Sequence, residues 1–279
     1  MKNLELIEIT NEQLNKMKNI QLDILKDVDK VCKELNLTYY LCAGTLLGAV
    51  RHGGFIPWDD DIDIQMPRKD YNLFIEKAQK LLKKNHIISS YKTEPAFIGD
   101  FFKIVDDNTT FVEVSTRKRN ITKGVYIDVF PIDGIPESKF KKLYYSFKIS
   151  LLKQRISNGY SAEKVYEKRS FKGRIYNFLS GFLTCFMSPE KATTALNNFL
   201  TKNTIDNSKY VMVESKYKRL YKREIFGNPS QIKFENLLFY APSDVKGYLE
   251  VQYGINYMTP PPPEKQVSHH YCCELKLDK

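Results

Sequence analysis

The sequence contains no run of about 18 uninterrupted apolar residues, which argues against a membrane-spanning helix. Its opening stretch, MKNLELIEITNEQ, lacks the apolar core of a secretory signal, so the expected location is the cytoplasm, peripherally including the inner face of the membrane. The five cysteines (Cys32, Cys42, Cys185, Cys272 and Cys273) are scattered, with no C-x-x-C pair; this disfavours a disulfide framework or a zinc site. Internal repeats are absent, as are RNP, zinc-finger and helix-turn-helix signatures, so no nucleic-acid partner is expected. With 42% apolar and 27% charged residues, the composition is that of a globular protein and excludes disorder, collagen and coiled coil. What the chain has in excess is positive charge: 43 Lys and Arg against 33 Asp and Glu give +10 over 279 residues. That balance favours acidic partners such as nucleotides, phosphorylated glycans or anionic lipid.

Thr10-Asn11-Glu12-Gln13 fits a capping box, and Leu14, Met17, Ile24, Val28, Val31 and Leu35 follow at helical spacing, predicting a helix over about 11–35. Leu37 to Cys42 is β-rich, and Ala43-Gly44-Thr45 reads as a strand entering a tight turn and a short helix. Asp61 to Met66 alternates as a half-buried strand stopped by Pro67, and a second helix is expected over Lys69 to Lys84. Four further strands are expected at Ile87–Tyr91, Phe101–Val105, Thr110–Val114 and Val125–Phe130. This order implies an α+β core over residues 1–136. Residues 137–205 read as a helical basic insertion, because Lys139 to Arg174 holds eleven Lys and Arg against only Glu163 and Glu167. Residues 206–279 read as a C-terminal lobe, with a turn at Gly227-Asn228-Pro229 and an extended Pro260–Pro263 run.

The richest stretch runs from Gly44 to Ile64. Residues two apart on a strand share a face, so Asp59, Asp61 and Asp63 are expected to stack their carboxylates, with Asp60 nearby. Such anions call for a cation, and a hard divalent ion, Mg2+ or Mn2+, is the natural choice; a solvated acidic loop is the plainer alternative. Upstream, Gly44 and Thr45 are suited to bring backbone amides and a hydroxyl to a phosphate at a helix N-terminus, and Arg51, His52 and Gly53 add charge and close approach. Asp128 is a charge in the apolar run Tyr126-Ile127-Asp128-Val129-Phe130, functional or else a salt-bridge partner. Lys103 lies in a run of Phe and Ile-Val, as a phosphate contact or a snorkelling edge lysine. His269 and His270 follow the proline run as candidates for folding over the site, or form an exposed tail.

The Gly44–Ile64 stretch, Lys103–Thr110 and Gly124–Pro136 together resemble the signature of the LicD family, named for bacterial phosphocholine transferases and related to the fukutin-related proteins. The resemblance is also traceable through Phe234-Glu235, Ala241-Pro242, Tyr253-Gly254, Tyr257-Met258, Pro262-Pro263 and His269-His270, and is weakest in the basic insertion. It implies a polymerase-β-like nucleotidyltransferase fold, a mixed sheet flanked by helices, in a single catalytic domain. By the same resemblance Asp61 and Asp63 match the D-x-D pair and Asp128 the third carboxylate, as metal ligands and catalytic groups, with Thr45 standing where the wider pattern has Ser or Gly.

The implied reaction is Mg2+-dependent transfer of phosphocholine, or a related phospho-alcohol, from CDP-choline or another CDP-alcohol. The acceptor would be a cell-surface glycan, lipopolysaccharide, teichoic acid or capsule, presented lipid-linked or not, with release of CMP. Trp58, Tyr126, Tyr253 and Tyr257 are candidate walls for a quaternary ammonium. Two other readings stand beside it: a nucleotidyltransferase that releases pyrophosphate, and a non-catalytic module binding polyanions or membranes.

Overall fold

The computed structural model describes residues 6–160, 186–216, 219–266 and 271–278. The first helix, α1 (Asn11–Glu34), starts where the capping box predicts: Gln13 N–H donates to Thr10 Oγ1 and Thr10 N–H to Gln13 Oε1. Its buried positions Met17, Gln21, Ile24, Leu25, Val28, Val31 and Cys32 recur every three or four residues and lie on the sheet. Next come β1 (Tyr40–Leu41), α2 (Ala43–His52), β2 (Asp63–Pro67), α3 (Arg68–Lys77), β3 (His86–Ser89), β4 (Phe102–Asp106), β5 (Thr110–Glu113) and β6 (Val125–Gly134). The second predicted helix is therefore shorter than expected, closing in a 3-10 turn at Ala78–Lys80.

Helices α4 (Lys139–Tyr160) and α5 (Pro189–Leu200) belong to the basic region. The rest of the helical expectation between them, residues 161–185, lies outside the described residues. Strands β7 (Tyr210–Val213), β8 (Leu220–Lys222), β9 (Ser230–Phe234) and β10 (Leu237–Ala241), helix α6 (Val245–Tyr253) and strand β11 (Cys272–Lys276) complete the chain. Pro263 opens a short 3-10 turn (Pro263–Lys265), so the proline run is extended only up to it.

The result is an α+β fold on a mixed seven-stranded sheet. Its order is β1-β2-β6-β4-β3, with β7 also paired to β6 and β8 to β7. Among the described residues only β2 and β6 run parallel in this sheet; its other pairs are antiparallel. Two expectations change here. The Thr110–Val114 strand forms, but outside this sheet, paired to β11. Strand β6, expected to stop at Phe130, runs through Pro131 to Gly134. A central strand tolerates that proline because β4 pairs with β6 only as far as Val129 and β7 begins only at Ile132, so the missing N–H falls in the gap between them.

One apolar core packs α1, α2 and α3 on the sheet, and a second holds Tyr145, Ile149, Leu152 and Ile156 of α4 against Ala192, Leu196 and Leu200 of α5. A buried ion pair joins the two cores: Arg68 reaches Asp133 Oδ1 at 2.6 Å and Oδ2 at 2.7 Å, and donates to Asn197 Oδ1 of α5 at 3.1 Å.

Candidate active site

Parallel pairing of β2 with β6 sets Asp63 beside Asp128, and antiparallel pairing of β4 with β6 sets Lys103 on the other side of Asp128. Three charged residues thus form a row across three adjacent strands. Lys103 Nζ lies 3.7 Å from Asp128 Oδ1 and 3.1 Å from Glu113 Oε2, with the Tyr126 ring 3.1 Å beneath it. The structure therefore places Lys103 among carboxylates, and buries Tyr126 below it rather than on a wall of the site.

The stacking of Asp59, Asp61 and Asp63 on one strand does not occur: β2 begins only at Asp63. Asp59, Asp60 and Asp61 instead lie on the loop before it, where a turn gathers one oxygen of each to within 4.8 Å of the others. Pro57 and the Asp59 N–H to Ile56 carbonyl turn bend this segment before the strand can start. The loop is held from below by α1. Gln21 Nε2 donates to the Asp60 carbonyl at 2.8 Å and to the Tyr126 carbonyl at 3.2 Å, while Lys18 Nζ donates to the carbonyls of Ile56 and Pro57.

Enclosure by protein, followed by the charges of Asp61, Asp128, Glu214 and Asp59, pushes the Asp63 carboxyl well above the usual carboxylate range. Glu214 was not among the sequence candidates. It follows β7 in two consecutive residues of positive φ, Glu214 at 56° and Ser215 at 49°, a strained pair that turns the chain toward the acids. Lys153 of α4 fixes this turn by donating to the Glu214 carbonyl at 2.6 Å, while its ammonium also meets Asp100 Oδ2 at 3.2 Å. Tyr253, one of the candidate walls, closes helix α6 beside these acids: burial, then Asp63 and Asp59, push its phenol up, so it faces the cluster as a neutral hydroxyl.

The expected turn at Gly44-Thr45 is the first turn of α2, with Ala43 at φ 44° and no side-chain cap on Cys42. Gly44 lies against Asp59, and a Cβ there would collide with Asp59 Oδ2. The helix N-terminus thus meets a carboxylate at its amide end. Thr45 is buried and turned inward; its Oγ1 accepts the Asp63 N–H at 2.8 Å and so holds β2 to α2. Burial pushes the Cys42 thiol far up, so it is no nucleophile.

Arg51, His52 and Gly53 sit at the opposite end of α2 from Gly44. Gly53 is the left-handed C-cap at φ 73°, exposed to solvent, and its carbonyl accepts from Glu235 N–H at 2.8 Å. Arg51 donates to the Tyr257 carbonyl at 3.3 Å, and its guanidinium stands 5.9 Å from the Trp58 ring. Burial, then Arg51, lowers the His52 pKa, which keeps that imidazole neutral near pH 7. The structure thus gathers Asp59, Asp60, Asp61, Asp63, Asp128 and Lys103, sets Gly44 and Thr45 at their edge, and leaves Gly53 apart. His269 and His270 lie outside the described residues.

The family model for the LicD/FKTN/FKRP nucleotidyltransferase domain matches residues 36–150, the span that carries α2, β2, β4 and β6. Along nearly its whole length the chain is 30% identical to lipopolysaccharide cholinephosphotransferase LicD of Haemophilus influenzae, over 265 residues covering 92% of this chain and 96% of that protein. Yeast mannosyltransferase regulator 4 is 23% identical over 77% of this chain but only 18% of its own length. Human ribitol 5-phosphate transferase FKRP is 28% identical over 107 residues, 35% of this chain and 21% of that protein. With its carboxylates carried on the strands and loop that the family model spans, and an end-to-end relative of this kind, the chain belongs to the LicD family.

Proposed function

We propose that the chain transfers phosphocholine, or a related phospho-alcohol, from a CDP-activated donor to a hydroxyl of a cell-surface glycan, releasing CMP. The observation that carries this reading is the in-register pairing of Asp63 with Asp128, flanked by the Asp59–Asp61 loop and the N-terminus of α2. The relatives named for transfer of phosphocholine and ribitol 5-phosphate support the phospho-alcohol class.

The donor set is entirely oxygen, crowded and strongly anionic, which fits Mg2+ or Mn2+. Asp59, Asp61, Asp63 and Asp128 would hold the ion, whose chemistry there is to neutralise charge building on the donor diphosphate. The chain's own groups do the rest. The positive end of the α2 dipole, beside Asp59 and with the Ala43 N–H donating to Tyr248, would favour the diphosphate, and Arg51 supplies a fixed cation near Trp58 and Tyr257. Asp128, between Asp63 and the Lys103 ammonium, would serve either as one of the ion's ligands or as the base that takes the acceptor hydroxyl proton. The acceptor oxygen then bonds to the phosphorus that bears the alcohol, and the bond from that phosphorus to the CMP oxygen breaks. Positioning supplies most of the acceleration in such a transfer.

The test is CMP release from a panel of CDP-alcohols with glycan acceptor and Mg2+, beside EDTA and the Asp61→Asn/Asp63→Asn double variant. Metal-dependent CMP release lost in the double variant is the expected result, and the preferred donor names the transferred group. Pyrophosphate from nucleoside triphosphates, with no CDP-alcohol consumed, would replace this reading by nucleotidyl transfer.

A further inference from the structure

Helix α4 has two apolar faces. Tyr145, Ile149, Leu152 and Ile156 are buried against α5 and the sheet. On the opposite side Phe140, Leu143, Tyr144 and Phe147 are 88%, 73%, 59% and 54% exposed. Their spacing of three, one and three residues makes one continuous stripe along about 10 Å of helix. Four large apolar side chains in a row on a surface are far more than scattered exposure accounts for.

The charges around the stripe decide what it meets. Over 22 residues α4 carries Lys139, Lys141, Lys142, Lys148, Lys153 and Arg155 and no acidic residue. At 100° per residue, Lys141 and Lys148 fall on one flank of the stripe and Lys139 on the other. Lysine is depleted from protein–protein interfaces, whereas a helix lying in a bilayer surface wants an apolar strip bordered by lysines that snorkel to anionic headgroups. We propose that the exposed face of α4 docks on an anionic lipid bilayer, with the stripe in the headgroup boundary and Lys139, Lys141 and Lys148 on lipid phosphates. The helix carries that contact to the site, because Lys153, two turns beyond Phe147, holds Asp100 and the Glu214 turn. Among the described residues no helix is long and apolar enough to cross a membrane.

The experiment is co-sedimentation of the full chain with phosphatidylcholine vesicles, with and without about 30 mol% phosphatidylglycerol, at about 0.1 M salt. Two variants are compared: Phe140→Ser/Leu143→Ser/Phe147→Ser, and Lys139→Glu/Lys141→Glu. The wild type should partition to the anionic vesicles, with binding weaker in either variant by about tenfold to a hundredfold and weakened by added salt. Urea midpoints of the variants should match the wild type, and CMP release with a water-soluble acceptor should be unchanged, so failure of docking and failure of the proposed reaction read out separately. Absent binding by the wild type, or equal binding by the triple-serine variant, would overturn the proposal. A dimer in solution that the triple-serine variant separates, without vesicle binding, would assign the face to a second copy and overturn it as well.

Discussion

Replacing Asp63 by Asn should stabilise the metal-depleted protein while abolishing its activity. Asp63 and Asp128 are register partners on adjacent parallel strands, which lie about 4.8 Å apart. Two like charges at about 5 Å, at an effective dielectric constant of about 20, repel by about 3 kcal/mol. Asp63 keeps some contact with solvent, and Lys103 already offsets part of the Asp128 charge, so about 1–2 kcal/mol of relief is expected from the isosteric amide. The assay is urea unfolding at pH 8 in EDTA, repeated with Mg2+. In EDTA the variant should show the higher midpoint; with Mg2+ the wild type should gain and the variant should not. A variant that is less stable than wild type in EDTA would refute the reasoning, because it would mean that Asp63 is held by attractive partners rather than strained by its neighbours.

Gly44→Ala should leave stability within about 1 kcal/mol, since the helix gain of alanine offsets a clash that Asp59 can swing away from, yet lower CMP release by about tenfold or more as Asp59 is displaced. Arg68→Met should destabilise by about 3–5 kcal/mol in urea titration, because Asp133 would be left buried without its bidentate partner; an effect under about 1 kcal/mol would sink that argument. Burial pushes Asp100 up, but Lys153 together with hydrogen bonds from Ser215 and the backbone outweighs it and holds the carboxyl below the usual range. A depressed carboxyl adds stability above its unfolded pKa of about 3.9 and loses it as pH falls. Lys153→Met should therefore be less stable at pH 7, with the gap to wild type closing below about pH 4; a gap constant with pH would contradict the pairing.

Local signals were read directly from the chain. The capping box at Thr10 and the spacing from Met17 to Val31 placed α1 within a residue of where it lies, since both signals depend on neighbours three or four positions apart. The alternation over Asp61–Met66 gave β2 apart from its start, and the apolar run around Asp128 gave the first part of β6. Illegible were features set by distant partners. The Asp59–Asp61 loop is pinned by Gln21 and Lys18, about forty residues upstream, and nothing in the local pattern says that the strand waits until Asp63. Glu214 reaches the acids through a turn whose carbonyl is held by Lys153, about sixty residues upstream. Helix α4 hid its exposed stripe because apolar residues on two opposite faces cancel any helical period.

The bond pattern of Lys153 bears on how this fold can diversify. Its single ammonium ties the loop before β4 to the turn after β7 from a helix in the region where resemblance to the family signature is weakest. A chimera that exchanges this region between relatives would therefore inherit not just a new surface but a new clamp on the acidic site. Exchanges that keep a cation at position 153 should preserve turnover while altering acceptor preference, and those that drop it should lose both together.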